Sequence, residues 1–247
     1  MKWRTMTAMI TQDLNGSDGF HTTRWTRVCM AKVPSEDGRR ALSELCEAYY
    51  EPVVAFMRCE VRESGLAREL SHAFFEQVLG GGRIHTADPA RGRFRSYLLG
   101  AAKHFLSHHR ESLSRMKRGG GLTQVPMDDE AVIEIPDEGL SPDAVFERQW
   151  AVTVLARGLD ALRAECAADG KLDFFECVMP LLTGDGDHGS HAGLAAQCGL
   201  SVAAFRMAVH RLRKRLRECV KAEVAGTLDD PSMVQEEMHA LFAALGG

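Results

Sequence analysis

The stretch LAAQCGLSVAAFRMAVHRLRKRLR, from Leu194 to Arg217, decides how the rest of the chain is read. Leu194 to Cys198 has the pattern of a short helix, Gly199-Leu200-Ser201 that of a tight turn, and a longer, strongly basic helix follows. A glycine reaches the left-handed backbone conformation that ends one helix, and a serine hydroxyl caps the free amides of the next. Phe205, Val209, Leu212 and Leu216 recur at helical spacing and predict a face turned to a core. Arg206, His210, Arg213 and Arg217 fall on another face, with Arg211, Lys214 and Arg215 beside them. This is the layout of a helix-turn-helix whose second helix enters a DNA major groove. Ala203, Arg206, Met207 and His210, early in that helix and just after the Ser201 cap, are placed to reach base edges. Arg211, Arg213, Lys214 and Arg217 are placed nearer phosphates, which supply affinity without sequence information. Ala203 and Met207 offer only apolar contact, for instance with a thymine methyl.

Outside this stretch, charge is distributed in blocks. The formal net charge of the 247 residues is only -4, so no global basic excess advertises nucleic acid. Between Arg91 and Arg118, however, the cations 91, 93, 95, 103, 110, 115, 117 and 118 face Glu111 alone. Met127 to Glu147 carries Asp/Glu at 128, 129, 130, 134, 137, 138, 143 and 147 and no Lys or Arg. Ser201 to Lys221 is basic again, with Glu218 its one acid. The order basic, acidic, basic is more informative than the sum.

Hydrophobic content of 45% and charged content of 26% are those of an ordinary globular protein. The seven cysteines are odd in number, scattered and without a CxxC pair, which predicts buried, reduced thiols in a cytoplasmic protein. No apolar run approaches membrane-spanning length, and the first nineteen residues lack the apolar core of a secretory signal. No membrane partner is expected.

Strand signals are nearly absent and helical periodicity dominates, so the predicted fold is all-α. Helices are predicted from a cap at Thr22-Thr23, over Ala41–Arg58 with a possible kink at Pro52, over Ala67–Leu79 and from Phe94 to about Lys117. Ser141-Pro142, a cap followed by proline at the first helical position, restarts helix over about Pro142–Asp169. Lys171–Leu182, Ser190–Cys198, Val202–Ala225 and an amphipathic helix from Asp230-Pro231 to Leu245 follow. The glycine triplets at 80–82 and 119–121 read as turns. The domain plan is a tail over 1–19, a helical domain over 20–118, an acidic linker over 119–141, a helix-turn-helix domain over 142–225, and an extension over 226–247.

The basic segment upstream mixes cations with aromatic and histidine side chains: Phe94, Arg95, Tyr97, Lys103, His104, Phe105, His108 and Arg110. Rings that stack on bases and cations that hold phosphates suit unstacked, single-stranded nucleic acid, although Phe94, Tyr97 and Phe105 also fit a core at this spacing. His104, His108 and His109, and the pair His188 and His191, have no matching carboxylate or cysteine set at ligand spacing, so no metal is expected. Neither glycine triplet has the Lys-Ser/Thr of a phosphate loop. No cofactor, small-molecule substrate or catalytic constellation is expected, and the chain is not expected to be an enzyme.

Ala41–Arg58, ARELSHAFFEQVL (Ala67–Leu79), DPARGRFRSYLLGAAKHFL (Asp88–Leu106) and the helix-turn-helix, in that order, resemble the sigma-seventy family of RNA polymerase sigma factors. More narrowly they resemble its extracytoplasmic-function group, in a variant frequent in planctomycete-like bacteria. Thr22–Trp25 (TTRW), Ala87–Ser96 (ADPARGRFRS), Lys117–Gly121 (KRGGG) and Gly199–Ser201 (GLS) carry that narrower resemblance, which covers roughly Phe20 to Leu245. It implies region two over 20–118, region four over 142–225, core RNA polymerase and promoter DNA as partners, and an anti-sigma factor as a candidate regulator. By position it gives Glu69, Leu70, His72, Ala73 and Phe74 to polymerase docking. Phe94, Arg95, Tyr97, Lys103, His104, His108 and Arg110 go to the minus-ten element, and the helix-turn-helix to the minus-thirty-five element. Two departures stand out: His72-Ala73 replaces the family's Gln-Glu pair, and His104 replaces a common Asn. The alternative is a helix-turn-helix regulator that binds DNA but does not dock on polymerase.

Overall fold

The computed structural model describes residues 25–80, 83–119, 139–183, 191–228 and 230–246. The fold is all-α: among the described residues every regular element is helical. The Thr22-Thr23 cap, the tail over 1–19, most of the acidic linker and His188 lie outside the described residues.

Helix α1 spans Trp25–Ala31 and α2 spans Glu36–Val61. The second begins five residues before its sequence-predicted start. Ser35 accepts a hydrogen bond from the Gly38 amide, and Glu36 and Asp37 follow in the first turn, where the helix dipole favours acids. Pro52 lies inside α2 without ending it, and it is buried. Helix α3 (Ser64–Phe75) runs on into a π-helical turn over Glu76–Gly80, and short 3-10 turns over Arg83–Thr86 and Pro89–Arg91 lead to α4 (Phe94–Gly119). Asp88 opens the second of these turns by accepting from the Ala90 amide.

Helix α5 (Pro142–Ala168) starts as predicted, with the Ser141 hydroxyl accepting from the Ala144 amide. Helix α6 (Leu172–Leu182), α7 (His191–Gln197), α8 (Val202–Gly226), a 3-10 turn (Pro231–Met233) and α9 (Val234–Gly246) complete the chain.

Contacts divide the chain into two compact units. The first comprises residues 22–153 and 224–247, and the second is built on 154–223. The division falls inside α5, and the C-terminal helix belongs with the first unit. In that unit α1, α3 and α4 each pack on α2. Its core contains Trp25, Tyr49, Phe56, Phe74, Phe94 and Leu98, all nearly inaccessible. The α9 face Val234, Met238 and Leu241 is buried as its spacing predicts, but Phe242 is exposed.

The second unit has a core of Val178, Leu181, Ala195, Phe205 and Val209, flanked by Phe174, Leu194 and Leu212. Phe205 meets Phe174 edge-on at 6.0 Å between ring centroids. Gly158 of α5 lies so close to α8 that an added Cβ would stand 2.5 Å from Val220 Cγ2. All seven cysteines are free, but only Cys166 and Cys219 are buried; Cys29 is exposed and the other four are half-buried. The expectation of buried thiols is met at Cys166 and Cys219 and corrected at the other five, which keep access to solvent.

Candidate nucleic-acid interface

Two backbone hydrogen bonds build the turn of the helix-turn-helix. Leu200 N–H donates to Ala195 O at 2.8 Å and Gly199 N–H to Ala196 O at 3.1 Å, with Gly199 at φ 65°. This pattern satisfies the last carbonyls of α7 and requires the left-handed residue that glycine supplies. Ser201 Oγ then accepts from the Ala204 amide at 3.2 Å and caps α8. The two helices bend by 94° at this break, within the range that lets the second project while the first braces it. Cys198 Sγ, beside the turn, contacts Cys177 Sγ of α6 at 3.1 Å. Burial, with Cys177 adding to it, pushes the Cys198 thiol up to about 11, so it is protonated at neutral pH.

Along α8 the apolar stripe is Phe205, Val209, Leu216, Cys219 and Val220. The two arginines that border the stripe are tied to neighbouring helices. Arg213 donates to the Leu181 carbonyl at 2.8 Å, satisfying the C-terminus of α6. Arg215 makes two hydrogen bonds to Glu165 of α5, at 2.7 and 2.5 Å. This pairing holds the Glu165 carboxyl below the usual carboxylate range and raises Arg215 further. Arg213, expected near a phosphate, is exposed, and its side chain also ties α8 to the C-terminus of α6. The middle of the exposed face is different. Ala203, Arg206, Met207, His210, Arg211, Lys214 and Arg217 are all exposed, and none of these cations is paired with a carboxylate among the described residues.

Met207, 58% accessible, is the most exposed large apolar side chain of the described residues. Leu200 and Val202 at the turn are exposed as well. Sequence reasoning passed over these two, although apolar residues flanking a capping serine were a readable sign of an uncovered contact surface.

The segment around α4 is organised in the opposite way. Phe94 and Arg95, expected at a strand-binding surface, are buried. Phe94 packs edge-on to Trp25 and Tyr49 at 5.8 and 5.4 Å, since a ring at the first turn of α4 fills the gap beside α1 and α2. The Arg95 guanidinium lies 4.1 Å above the Trp150 ring, donates to Glu147 at 2.7 Å and contacts Glu237 of α9. Burial depresses its ordinarily very high pKa, and Glu147 opposes that shift. Lys103 pairs with Asp143 at 2.6 Å and Arg110 with Glu60 at 2.6 Å.

Tyr97, half-buried, stacks on Phe94 and hydrogen-bonds Thr86 at 3.1 Å between hydroxyl oxygens. Beside it lies an open cavity of about 370 Å³ with a mostly apolar lining, bordered by Val78, Thr86, Ser96, Tyr97, Gly100, Ala101 and His104. Of these only Tyr97 and His104 are among the residues singled out from sequence. Small residues at 96, 100 and 101, on successive turns of one helix face, were the available signal for a hollow. His104 and His108 approach to 3.1 Å between Nε2 atoms, and no group of three or more metal-binding side chains occurs among the described residues.

The residues that the resemblance assigns to polymerase docking share one helix but not one environment. Glu69, His72 and Ala73 are exposed on α3, whereas Leu70 and Phe74 are buried in the core beneath them. His72 accepts or donates a 2.9 Å hydrogen bond with the Tyr50 hydroxyl and stacks on its ring. No single helix among the described residues is long and apolar enough to cross a membrane. Comparison with models of protein families, with curated proteins and with solved structures finds no match to this chain.

Proposed function

We propose that this chain is a sigma factor that recruits core RNA polymerase to promoters, in two helical domains corresponding to regions two and four. The observation that carries the reading is the exposed cationic face of α8, free of carboxylate partners among the described residues and set on a capped helix-turn-helix. In this reading Arg206, Met207 and His210 enter the major groove at the minus-thirty-five element, with arginine suited to paired acceptors on guanine and methionine to a thymine methyl. Arg211, Lys214 and Arg217 hold flanking phosphates.

Support for a second contact comes from the cavity on α4. An unstacked base offers a flat ring and a hydrogen-bonding edge, and the cavity offers Tyr97 for the ring and Ser96, Thr86 and His104 for the edge. Capturing a base there offsets the few kcal/mol that unstacking costs. The exposed α3 positions Glu69, His72 and Ala73 form the polymerase-docking face, with Leu70 and Phe74 holding the helix in place. The chain acts by binding, without catalysis, cofactor or metal, in the cytoplasm.

A second reading, a DNA-binding regulator without polymerase contact, is favoured by one observation: His72 is engaged by Tyr50 and Ala73 supplies no carboxylate. Pull-down of purified core polymerase by the chain separates the two. Stoichiometric binding that is weakened by Glu69→Lys supports the sigma reading. Duplex binding with no retained polymerase supports the regulator.

A further inference from the structure

We propose that the C-terminal helix α9, together with the first turns of α5, masks the cations Arg93, Arg95 and Lys103 beside the open strand-binding cavity of α4, so that the free protein holds a single strand only weakly. This rests on the reading of α4 as a contact for unstacked nucleic acid. Every cation whose side chain is described between Arg91 and Arg115 is paired with a carboxylate. On α8, in contrast, Arg206, Arg211, Lys214 and Arg217 are exposed and have no carboxylate partner among the described residues.

The masking carboxylates come chiefly from elsewhere in the chain. Glu236 and Glu237 of α9 pair with Arg93 at 2.8 and 2.9 Å, and Glu237 also reaches Arg95. Glu147 and Asp143 of α5 take Arg95 and Lys103. Glu237 is fully inaccessible and Arg95 nearly so.

The sign of the local charge decides the matter. At the entry to α4, Arg93 and Arg95 face Glu147, Glu236 and Glu237, which leaves a net negative charge that repels a phosphate. Without the two α9 carboxylates the same place carries a net positive charge. The covering helix is held by these ion pairs as well as by its buried face of Val234, Met238 and Leu241, and a polyanion or a strongly charged partner competes with its carboxylates for the same guanidinium groups.

The test measures binding of a short, mixed-sequence single-stranded DNA by full-length protein at several salt concentrations. The wild type is compared with the double variant Glu236→Gln/Glu237→Gln and with Asp143→Asn. Each freed cation that meets a phosphate steepens the salt slope by about 0.7. The double variant frees Arg93, whose partners are Glu236 and Glu237, while Arg95 keeps Glu147; the predicted slope is steeper by about 0.7 and the affinity roughly fivefold higher at 0.1 M salt. Asp143→Asn frees Lys103 alone, predicting about fivefold. Its carboxylate is half exposed, so this variant keeps the proposal testable should the buried substitution unfold the unit. Duplex binding through α8 stays unchanged in all three proteins. Equal single-strand affinity in folded wild type and variants, or no single-strand binding by any of them, overturns the mask. The assay contains no polymerase, so a chain that fails to bind polymerase leaves the mask standing, and the reverse holds too.

Discussion

Lys214 and Arg215 are adjacent cations in one basic run, and the structure assigns them opposite consequences on removal. Lys214 is exposed on the middle of the α8 face, with no carboxylate partner among the described residues. Arg215 is turned toward α5 and doubly bonded to Glu165. If Lys214 neutralises one phosphate of duplex DNA, Lys214→Ala removes about 0.9 from the slope of log affinity against log salt. The same relation gives roughly an eightfold loss of affinity at 0.1 M salt and about fourfold at 0.2 M, so the deficit shrinks as salt rises. Arg215→Ala leaves slope and affinity unchanged to within error, while lowering the stability of the second unit. Fluorescence anisotropy with a labelled duplex, titrated across that salt range, measures both quantities. Equal losses for the two variants, or a larger slope change for Arg215→Ala, would refute the assignment of faces on α8.

Other substitutions probe separate steps of the argument. Arg206→Ala costs roughly 1–3 kcal/mol on a cognate promoter and relaxes selection at one or two positions, which selection from a random duplex pool reads directly. Phe205→Ala removes a fully buried ring and costs about 3–5 kcal/mol; thermal melting shows the second unit unfolding first, with the first unit unaffected. Gly158→Ala forces a Cβ against Val220 and destabilises by about 1–3 kcal/mol, read as a lower urea midpoint. The Glu165 carboxyl is held low by Arg215. That pair therefore contributes stability above the ordinary value of 4.5 and loses it as pH falls through the depressed one. Urea midpoints compared between wild type and Arg215→Ala converge at acid pH and diverge above it.

Local chemistry in the sequence reached most of the helices and the turn. Gly199 and Ser201 act in the structure in the roles their types suggest, and Ser141-Pro142 opens α5 as read. The start of α2 was missed although Ser35, Glu36 and Asp37 form a complete start signal, because the apolar periodicity that drew attention begins only at Ala41. A core role for Phe94 was one of two readings its spacing allowed, and Trp25 and Tyr49 decide it; burial of Arg95 was not legible, since it depends on Trp150 and Glu237, which lie far away in the chain. The same limit applies to Arg213 and Arg215. A run of cations gives charge density, but which members border the apolar stripe and find a partner is decided by the helices packed alongside. The cavity beside Tyr97 is a further case: small residues mark where a hollow is allowed, and only the surrounding backbone makes one.

The central claim is that one chain grips a promoter at two points on behalf of polymerase. Transcription of fragmented genomic DNA by purified core polymerase, with and without the chain, followed by mapping of RNA starts, tests it most directly. The account predicts discrete, chain-dependent starts preceded by two shared sequence elements at a fixed spacing, with the upstream element altered in the Arg206→Ala protein. An absence of chain-dependent starts, while the same protein binds duplex DNA, would contradict it.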